Sequence, residues 1–474
     1  LMAFDLKAKE AKPFTENISS YQLALKGKKI AIQNQQGLFV VGSAAPPGPG
    51  LAKGKVDVSD MVVELDPMDE WSQMYYEAWR QMREFYWDED MSGVDWDDIR
   101  DQYAVLLPRL ASRADLTDLL MQIFGEMNTS HTYVFGGDAA VRVPGVPTGL
   151  LGADLVRAGD NAYQVKAIYR GSDPDRVRSP LDGPGMKVAV GEYILAVNRQ
   201  PIANGKPFHG YLENLAGKEV VLTVNGKPEM EGSREVVVTP MRNDRDLRYS
   251  HWVRKNREYV LEKTGGKIGY IHIPDMLNPG MIEVNTWFYP QLDKEGMVVD
   301  VRWNGGGSYS QLMLERLRRK VLSWSYVRGG AQGPYPYRVL NGPFVVLVNS
   351  RSGSDGDIFP QAVQLEGLAP IIGTRTWGGV NGITSLRPLV DGGLVTQSQV
   401  AWWDPKDEWA LENRGVIPDI EVQWLPQEIV AGTDPQLDRG IEEVLKLHKE
   451  NPPAKPEFGP SMKRSRKSYR DELE

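Results

Sequence analysis

The chain has 474 residues, a formal net charge of −8, 41% hydrophobic and 25% charged residues, and no cysteine. That length accommodates about two to four domains, and the absence of cysteine excludes disulfides, thiolate nucleophiles, cysteine-based zinc sites and iron–sulfur centres. No apolar run approaches the ~18 residues of a membrane span, no secretory signal pattern is present, and no basic face marks a nucleic-acid footprint. A cytoplasmic setting is the expectation.

Residues 1–60 read as β-structure, with "GKKIAIQ" and "GLFVVGS" as short strands. Two such strands do not bury a core alone, so a β-remnant at the trailing edge of a larger domain is expected. "AAPPGPGLAKGK" reads as a linker, because Pro and Gly crowd it. A helical block is expected over 61–140. Its first helix opens with Asp66 as N-cap and Pro67 at the first helical position. Trp71, Met74, Tyr75, Ala78, Trp79 and Met82 form one apolar stripe, read as core packing. A second helix starts at a capping pair, Ser112 and Asp115, with Leu116, Leu119, Leu120, Ile123 and Met127 facing inward. It ends before Ser130-His131, where an extended segment begins.

Residues 141–242 change character. "YQVKAIY", "EYILAVNRQPI" and "EVVLTVNGKPE" are strands punctuated by turn residues, the size of one small β domain. "GEYILAVNRQPIANG" resembles the central hairpin of a PDZ domain, and "GLLG" at 149–152 stands where such domains carry a carboxylate-binding loop. From 243 to 450 strands and helices alternate. "KIGYIHI", "GMVVDVR", "GPFVVLVN" and "APIIGTRT" are continuous apolar runs, as expected of strands covered on both faces. "SQLMLERLRRKVL" and "DIFPQAVQLEG" are helices between them. The fold class expected is therefore multidomain α/β with a largely parallel sheet and its chemistry beyond the carboxyl ends of the strands. Residues 451–474, including the basic run "KRSRK" at 463–467, read as a flexible tail.

Two strand-to-helix turns carry candidate chemistry. "VDVRWNGGGSYS" (299–310) brings three glycines before a helix. A phosphate loop lacks the following Gly-Lys-Ser/Thr, which leaves a plain structural turn or an oxyanion hole. "LVNSRSGSDGDIF" (347–359) places Ser350, Ser352 and Ser354 in a turn. It is either a capping turn or a nucleophile elbow without the Gly-x-Ser-x-Gly spelling. A nucleophilic serine needs a base. His272 lies in a strand run and reads as a core residue, His251 and His448 lie in helical segments, and His209 falls in the PDZ-like region. His131 stands at an element boundary beside Ser130. No metal site is expected, since "HIPD" and the scattered acids lack ligand spacing.

"EMNTSHTYVFGG", "DVRWNGGGSYSQLMLERLRRK", "NSRSGSDGDIFPQAV", "IIGTRTWGGVNGI" and "LENRGVIPDIEV" together resemble the tricorn-like serine peptidases, which are grouped with the carboxyl-terminal processing proteases. The resemblance spans about residues 65–450. It implies a β-propeller region before a helical domain, a PDZ domain and an α/β catalytic domain, with residues 1–60 similar to a propeller end. It implies a Ser–His–Ser–Glu tetrad and a covalent acyl-enzyme: Ser354 as nucleophile, His131 as base, Ser130 supporting His131, and Glu412 bonding Ser130. Gly307 and the amide of Asp355 are implied as the oxyanion hole. Peptide substrates, no cofactor and a homo-hexamer follow from the same resemblance. The other branch uses Ser–Lys, but no lysine follows Ser354 until Lys406. The family's acidic residue that favours basic P1 side chains has Ser325 at its matching position, beside Trp324 and Tyr326. That implies an apolar or mixed pocket unless Asp404 or Asp407 substitutes. The rival readings are a catalytically silent scaffold binding peptide C-termini through the PDZ domain, and a hydrolase of non-peptide esters or amides.

Overall fold

The computed structural model describes residues 1–138, 145–171, 177–186, 188–328, 330, 332–406 and 408–459. The chain divides into two compact units, Leu1–Glu70 and Trp71–Glu474. In the first, β1 (Met2–Asp5) and β2 (Glu10–Pro13) form a hairpin. β3 (Ser20–Ala24), β4 (Lys29–Asn34), β5 (Gly37–Gly42) and β6 (Lys55–Val56) form an antiparallel sheet in that order. Phe14, Ile30, Ile32 and Phe39 make its small core. The expected linker at 44–55 is a correction: Gly48–Gly54 is a 3-10 turn and Lys55–Val56 pairs with the edge of β5. Gly54 is needed there, because a Cβ would lie 2.5 Å from Val41 and 2.7 Å from the Val40 carbonyl. The irregular stretch lies later, at 57–66, where Met61, Val62 and Val63 are exposed.

In the second unit three helices form one layer: α1 (Pro67–Phe85), α2 (Trp96–Ala104) and α3 (Arg113–Gly125). Asp66 Oδ1 accepts the Met68 amide at the start of α1, and Ser112 with Asp115 forms a reciprocal capping box on α3, as the sequence signals predict. The expected stripe is buried around Met74, Tyr75, Ala78 and Met82, and it packs on Leu116, Leu120 and Ile123. The same core takes in Val134, Leu389 and Val395. Val134 comes from β7 (Val134–Phe135), Val395 from a later strand described below, and Leu389 from the turn that precedes that strand.

The PDZ-like region is an antiparallel sheet of β8 (Ala153–Ala158), β9 (Ala162–Ile168), β10 (Tyr193–Val197), β11 (Gln200–Pro201), β12 (Val220–Asn225) and β13 (Arg234–Val238). Its order is β13-β12-β10-β9-β8, with β11 paired to β10. Helix α4 (Arg245–Lys263) leads into a parallel sheet ordered β14 (Ile268–His272), β15 (Gly296–Asp300), β18 (Phe344–Val348), β19 (Ile371–Gly373), β22 (Ile420–Glu421). Between β15 and β18 lie β16 (Ser323–Ser325) and β17 (Gly333–Tyr335), an antiparallel pair. β14, β15 and β18 are buried along their whole length.

One face of the sheet is covered by α5 (Asn278–Trp287), α6 (Ser310–Leu317) and α7 (Asp355–Leu365), through Val284, Phe288, Met313, Phe359 and Val363. The other is covered by α4 and by α9 (Pro435–Glu450), through Val253, Val260, Leu437, Ile441 and Val444. Layers on both faces explain why these strands read as unbroken apolar runs. The helix expected over "SQLMLERLRRKVL" stops at Leu317, and Ser323–Ser325 pairs as a strand instead. The run "KRSRK" and the far end of the expected tail lie outside the described residues. Among the described residues no helix is long and apolar enough to cross a membrane.

One buried ion pair locks the helical layer onto the region of the parallel sheet. Arg113 Nε donates to Asp391 Oδ2 at 2.6 Å, with side chains 5% and 0% exposed. Asp391 also accepts the amides of Asp138 and Gly393. Asp391 lies between β20 (Arg387–Pro388) and β21 (Leu394–Val395), and β21 pairs with β7 just after His131. Removing one member of such a pair strands a buried charge, at a cost of about 3–5 kcal/mol. Arg113→Ala is therefore expected to lower unfolding stability by that order in urea titrations, with part of the loss recovered in Arg113→Ala/Asp391→Ala. A single variant within about 0.5 kcal/mol of the parent would contradict this account.

Candidate active site

Ser354 sits between β18 and α7, at the carboxyl end of the parallel sheet. Its backbone is at φ 57°, ψ −121°, a conformation rare for a residue with a Cβ. Strain of this kind at a strand-to-helix turn is what lifts a nucleophile clear of its own backbone. The turn is held by the Ser354 amide donating to Gly379 O at 2.8 Å and the Gly353 amide donating to Asn304 O at 2.9 Å. Ser352 is a different kind of residue: it is fully buried, and its hydroxyl donates to Val301 O at 2.9 Å. That leaves Ser354 as the serine of the turn that is half-buried with an uncommitted hydroxyl among the described hydrogen bonds.

The glycine loop after β15 packs directly on this turn. A Cβ on Gly306 would lie 2.5 Å from Ser354 Cβ and 3.0 Å from its Oγ. Gly307 has φ 147°, and a Cβ there would lie 2.1 Å from Met276 O. Asp355 ties the two turns together, because its carboxylate accepts both the amide (2.9 Å) and the hydroxyl (2.5 Å) of Ser310 at the start of α6. Among the described residues, neither the Gly307 amide nor the Asp355 amide donates to another protein group. Two free amides beside a serine hydroxyl are the requirement for an oxyanion hole.

His131 arrives from the other side. Its Nδ1 lies 2.8 Å from Ser130 Oγ, and Ser130 Oγ donates to Glu412 Oε2 at 3.2 Å. The direction of this chain is fixed. The Ser130 proton is committed to the carboxylate, so its oxygen accepts from Nδ1–H of His131 and Nε2 is left with its lone pair. Glu412 is itself held by the amides of Ser130 (2.6 Å), Val380 (2.8 Å) and Asn381 (3.1 Å). Thr396 Oγ1 donates to His131 O at 2.6 Å and accepts the Tyr133 amide at 2.7 Å, which pins the His131 backbone at φ 61°. Burial of the imidazole lowers the His131 pKa from its ordinary 6.5, and Glu412 opposes that shift.

The described hydrogen bonds do not include one between His131 and Ser354. The two are joined through Trp377. The Trp377 ring is 5.6 Å from the His131 ring, its amide donates to Ser352 O, and a Cβ on Gly353 would lie 2.7 Å from its Cε3. The gap between a base and its nucleophile is often open without substrate and closes in the complex.

Among the described hydrogen bonds none joins Ser325 to this group. It lies in the β16–β17 pair, where its hydroxyl donates to Gly333 O at 3.1 Å. Asp404 is buried in its own turn, accepting from Gln361 and from the Lys406 amide, and Asp407 lies outside the described residues. His272 is the core histidine expected, bonded to Tyr249 and to Arg302 O. In the PDZ-like region a cavity of about 290 Å³ is lined by Gly149, Leu150, Phe208 and Arg248. The amides of Gly149 and Leu150 donate to Leu212 O and Met241 O, so half of the "GLLG" loop is committed inward. Sequence reasoning missed Trp377, Thr396, Asn381 and Asp357 as parts of the site. Of these only Trp377 and Asn381, within "TWGGVNG", and Asp357, within "GSDGD", lay inside stretches already singled out.

Comparison with known proteins places this geometry in a class. Residues 267–422 match Peptidase family S41, residues 67–125 the Tricorn protease C1 domain, and residues 149–243 the Tricorn protease PDZ domain. Together these matches describe a mixed α/β architecture with an inserted PDZ domain. Tricorn protease homolog 1 of Streptomyces coelicolor is 40% identical over 96% of this chain and 43% of its own length. Tricorn protease of Thermoplasma volcanium is 33% identical over 94% and 43%. The crystal structure of the tricorn protease superposes with a TM-score of 0.84 at 32% identity, covering 94% of this chain and 43% of that one. The chain belongs to the tricorn protease family within family S41, and it spans less than half the length of these relatives.

The tautomer argument has a direct readout. The His131 imidazole, followed by NMR, is expected to titrate below 6.5. In Glu412→Gln the midpoint falls further, because the anion that favours the imidazolium is gone. A parent midpoint above 6.5, or an upward shift in the variant, contradicts it.

Proposed function

We propose that this chain is a serine endopeptidase that cleaves oligopeptides through a Ser354–His131–Ser130–Glu412 tetrad and a covalent acyl-enzyme. The observation that carries the reading is the Glu412–Ser130–His131 chain: it joins residues 282 positions apart and directs Nδ1 to Ser130, while Trp377 links the imidazole to the strained turn of Ser354. His131 Nε2 takes the proton of Ser354 as Oγ attacks the peptide carbonyl. The oxyanion that forms is met by the amides of Gly307 and Asp355. His131 then returns the proton to the leaving amine, and water resolves the ester by the same route in reverse. Glu412, acting through Ser130, supports the imidazolium at each step.

In this reading residues 61–140 bring the base, 141–242 are the PDZ-like domain, 243–450 bring the nucleophile, and 1–60 are the end of a propeller-like domain. A homo-oligomer, a hexamer by resemblance, and a cytoplasmic setting belong to the same reading. The S1 pocket is apolar or mixed, with Ser325 where relatives that favour basic P1 residues carry an acid.

A fluorophosphonate probe mapped by peptide mass spectrometry is expected to label Ser354 in the parent and to give no label in His131→Ala. Ser354→Ala should lower kcat on a fluorogenic peptide by on the order of 10⁶-fold, as for the loss of other serine nucleophiles. Labelling elsewhere, or cleavage that survives Ser354→Ala, would sink the proposal. The His131 protonation within the kcat/KM acid limb should lie below pH 6.5, because the base must be neutral and burial lowers its pKa.

A further inference from the structure

The tetrad accounts for one carboxylate near Ser354 but not for a second. Asp357 lies in the first turn of α7, three residues after Ser354, and is fully buried. Its Oδ1 accepts the Gly378 amide at 2.8 Å, while its Oδ2 is buried with no partner. The Asp357 amide donates to Ser354 O at 2.8 Å, and Thr376 stands two residues before Gly378 in the same segment. Thr376 Oγ1 in turn accepts the Val416 amide at 2.7 Å, and the Gly415 amide donates to Leu411 O at 2.9 Å within the loop that carries Glu412. Asp357 thus touches three things at once: the turn that holds the nucleophile, the 376–378 segment that carries Trp377, and, through Thr376, the Glu412 loop. A carboxyl group with one oxygen unsatisfied in the interior costs free energy that an apolar residue would not, so its place here calls for a role.

We propose that Asp357 is a positioning residue for this centre, a buried carboxyl that clasps the 376–378 segment and the Glu412 loop against the turn bearing Ser354. The inference rests on the peptidase reading above. The clasp is strongest when the carboxyl is ionised, because hydrogen bonds to a charged acceptor are roughly twice as strong as neutral ones. Its ionisation falls in the working range: burial pushes the pKa up to about 7, outweighing the downward pull of Thr376, Gly378 and Ser354, and Glu412 pushes in the same direction as burial. Glu412 is the charged group facing it from the 411–416 loop. Asp355, on the same turn of α7, is turned to Ser310. Lowering the pH through neutrality loosens the clasp before His131 is protonated, so the acid limb of activity contains two protons and not one.

Two variants of the full chain test this. Asp357→Asn keeps an acceptor for Gly378 but cannot ionise, and Asp357→Ala removes the clasp. The first readout is the thermal midpoint, which needs no activity. The folded pKa lies above the unfolded value of 3.8, so ionising the buried acid costs stability progressively from about pH 4 to about pH 7. Asp357→Asn escapes that cost, and its midpoint should gain on the parent across this window and level off above it. The second readout is the pH profile with a fluorogenic peptide. The parent limb should be steeper than one proton. The Asn variant should show a one-proton limb at lower pH with kcat several-fold down and KM nearly unchanged, and the Ala variant should lose on the order of 10–10²-fold in kcat. If the Asn midpoint tracks the parent at every pH, or the limb keeps its shape, the clasp is overturned. If the midpoint shift appears but the parent neither cleaves peptide nor labels at Ser354, the peptidase reading fails and the clasp stands as a structural device.

Discussion

The Glu412 carboxylate is the interaction on which the rest of the site depends. One oxygen accepts the Ser130 amide, and the other accepts the Ser130 hydroxyl together with the amides of Val380 and Asn381. A single anion therefore fixes the segment bearing His131, sets the direction of the hydroxyl between itself and the imidazole, and anchors the strip next to the Ser354 turn. Charge-assisted bonds to several backbone amides are strong enough to hold such an arrangement without packing from an apolar core. The same carboxylate and Thr129 line a cavity of about 320 Å³ walled by Trp87, Trp402 and Trp409. The anion thus sits in a polar seam between layers and not deep in either one.

Around that anion the backbone carries a concentration of unusual conformations. Asn128, His131, Trp303, Ser354 and Asn413 all have positive φ, and each lies in a segment next to the tetrad or the glycine loop. Such residues persist where the surroundings over-determine them. Here the surroundings are identifiable: Asn413 Nδ2 donates to Asn128 O at 2.5 Å, Thr396 grips the His131 carbonyl, and Gly379 O takes the Ser354 amide. Beneath the glycine loop, Asp300 and Arg302 form a fully buried pair extended to Asp434. That pair holds the strand end from which the loop departs. Fixing the donors in advance is what makes amides effective toward a charge that exists only transiently.

Much of this was legible in the sequence where a signal is local. The capping box of α3, the proline start of α1 and the unbroken apolar strands each have a cause within a few residues, and each formed as read. The glycine loop and the serine turn were visible as breaks between strand and helix, but their chemistry was ambiguous: capping and oxyanion readings use the same residue types. What was not legible depends on pairs far apart in the chain. The β6 strand hides in a Pro/Gly-rich stretch because its pairing with β5, not its composition, makes it a strand. Thr396 and Asp391 read as ordinary loop polar residues, and only the pairing of β21 with β7 shows that they hold the His131 segment. The stop of α6 at Leu317 came from the pairing of Ser323–Ser325 with Gly333–Tyr335, which outcompeted a run of good helix formers.

Ser130-His131 and Ser354 lie on opposite sides of the PDZ-like sequence, yet their registration does not depend on that sequence being rigid. The β7 strand pairs with β21, Arg113 pairs with Asp391, Trp87 stacks on Trp409 at 4.9 Å, and Glu412 closes the seam. All four ties run directly between the helical layer and the region around the parallel sheet. Closing a long loop costs only a slowly growing entropy, about 0.6 kcal/mol per doubling of its length, so an inserted domain of this size is tolerated once such ties exist. The insertion is joined to α4 by the Arg248–Asp154 pair on the surface, by the Arg254 bond to Arg170 O, by the Tyr169–His251 ring contact and by buried Leu247 packed against Gly152. A surface pair such as Arg248–Asp154 contributes little to stability. The seam where Ser130 and His131 meet Glu412 is held by a buried ion pair and by a carboxylate bound to several amides, which is what a site assembled from two layers requires.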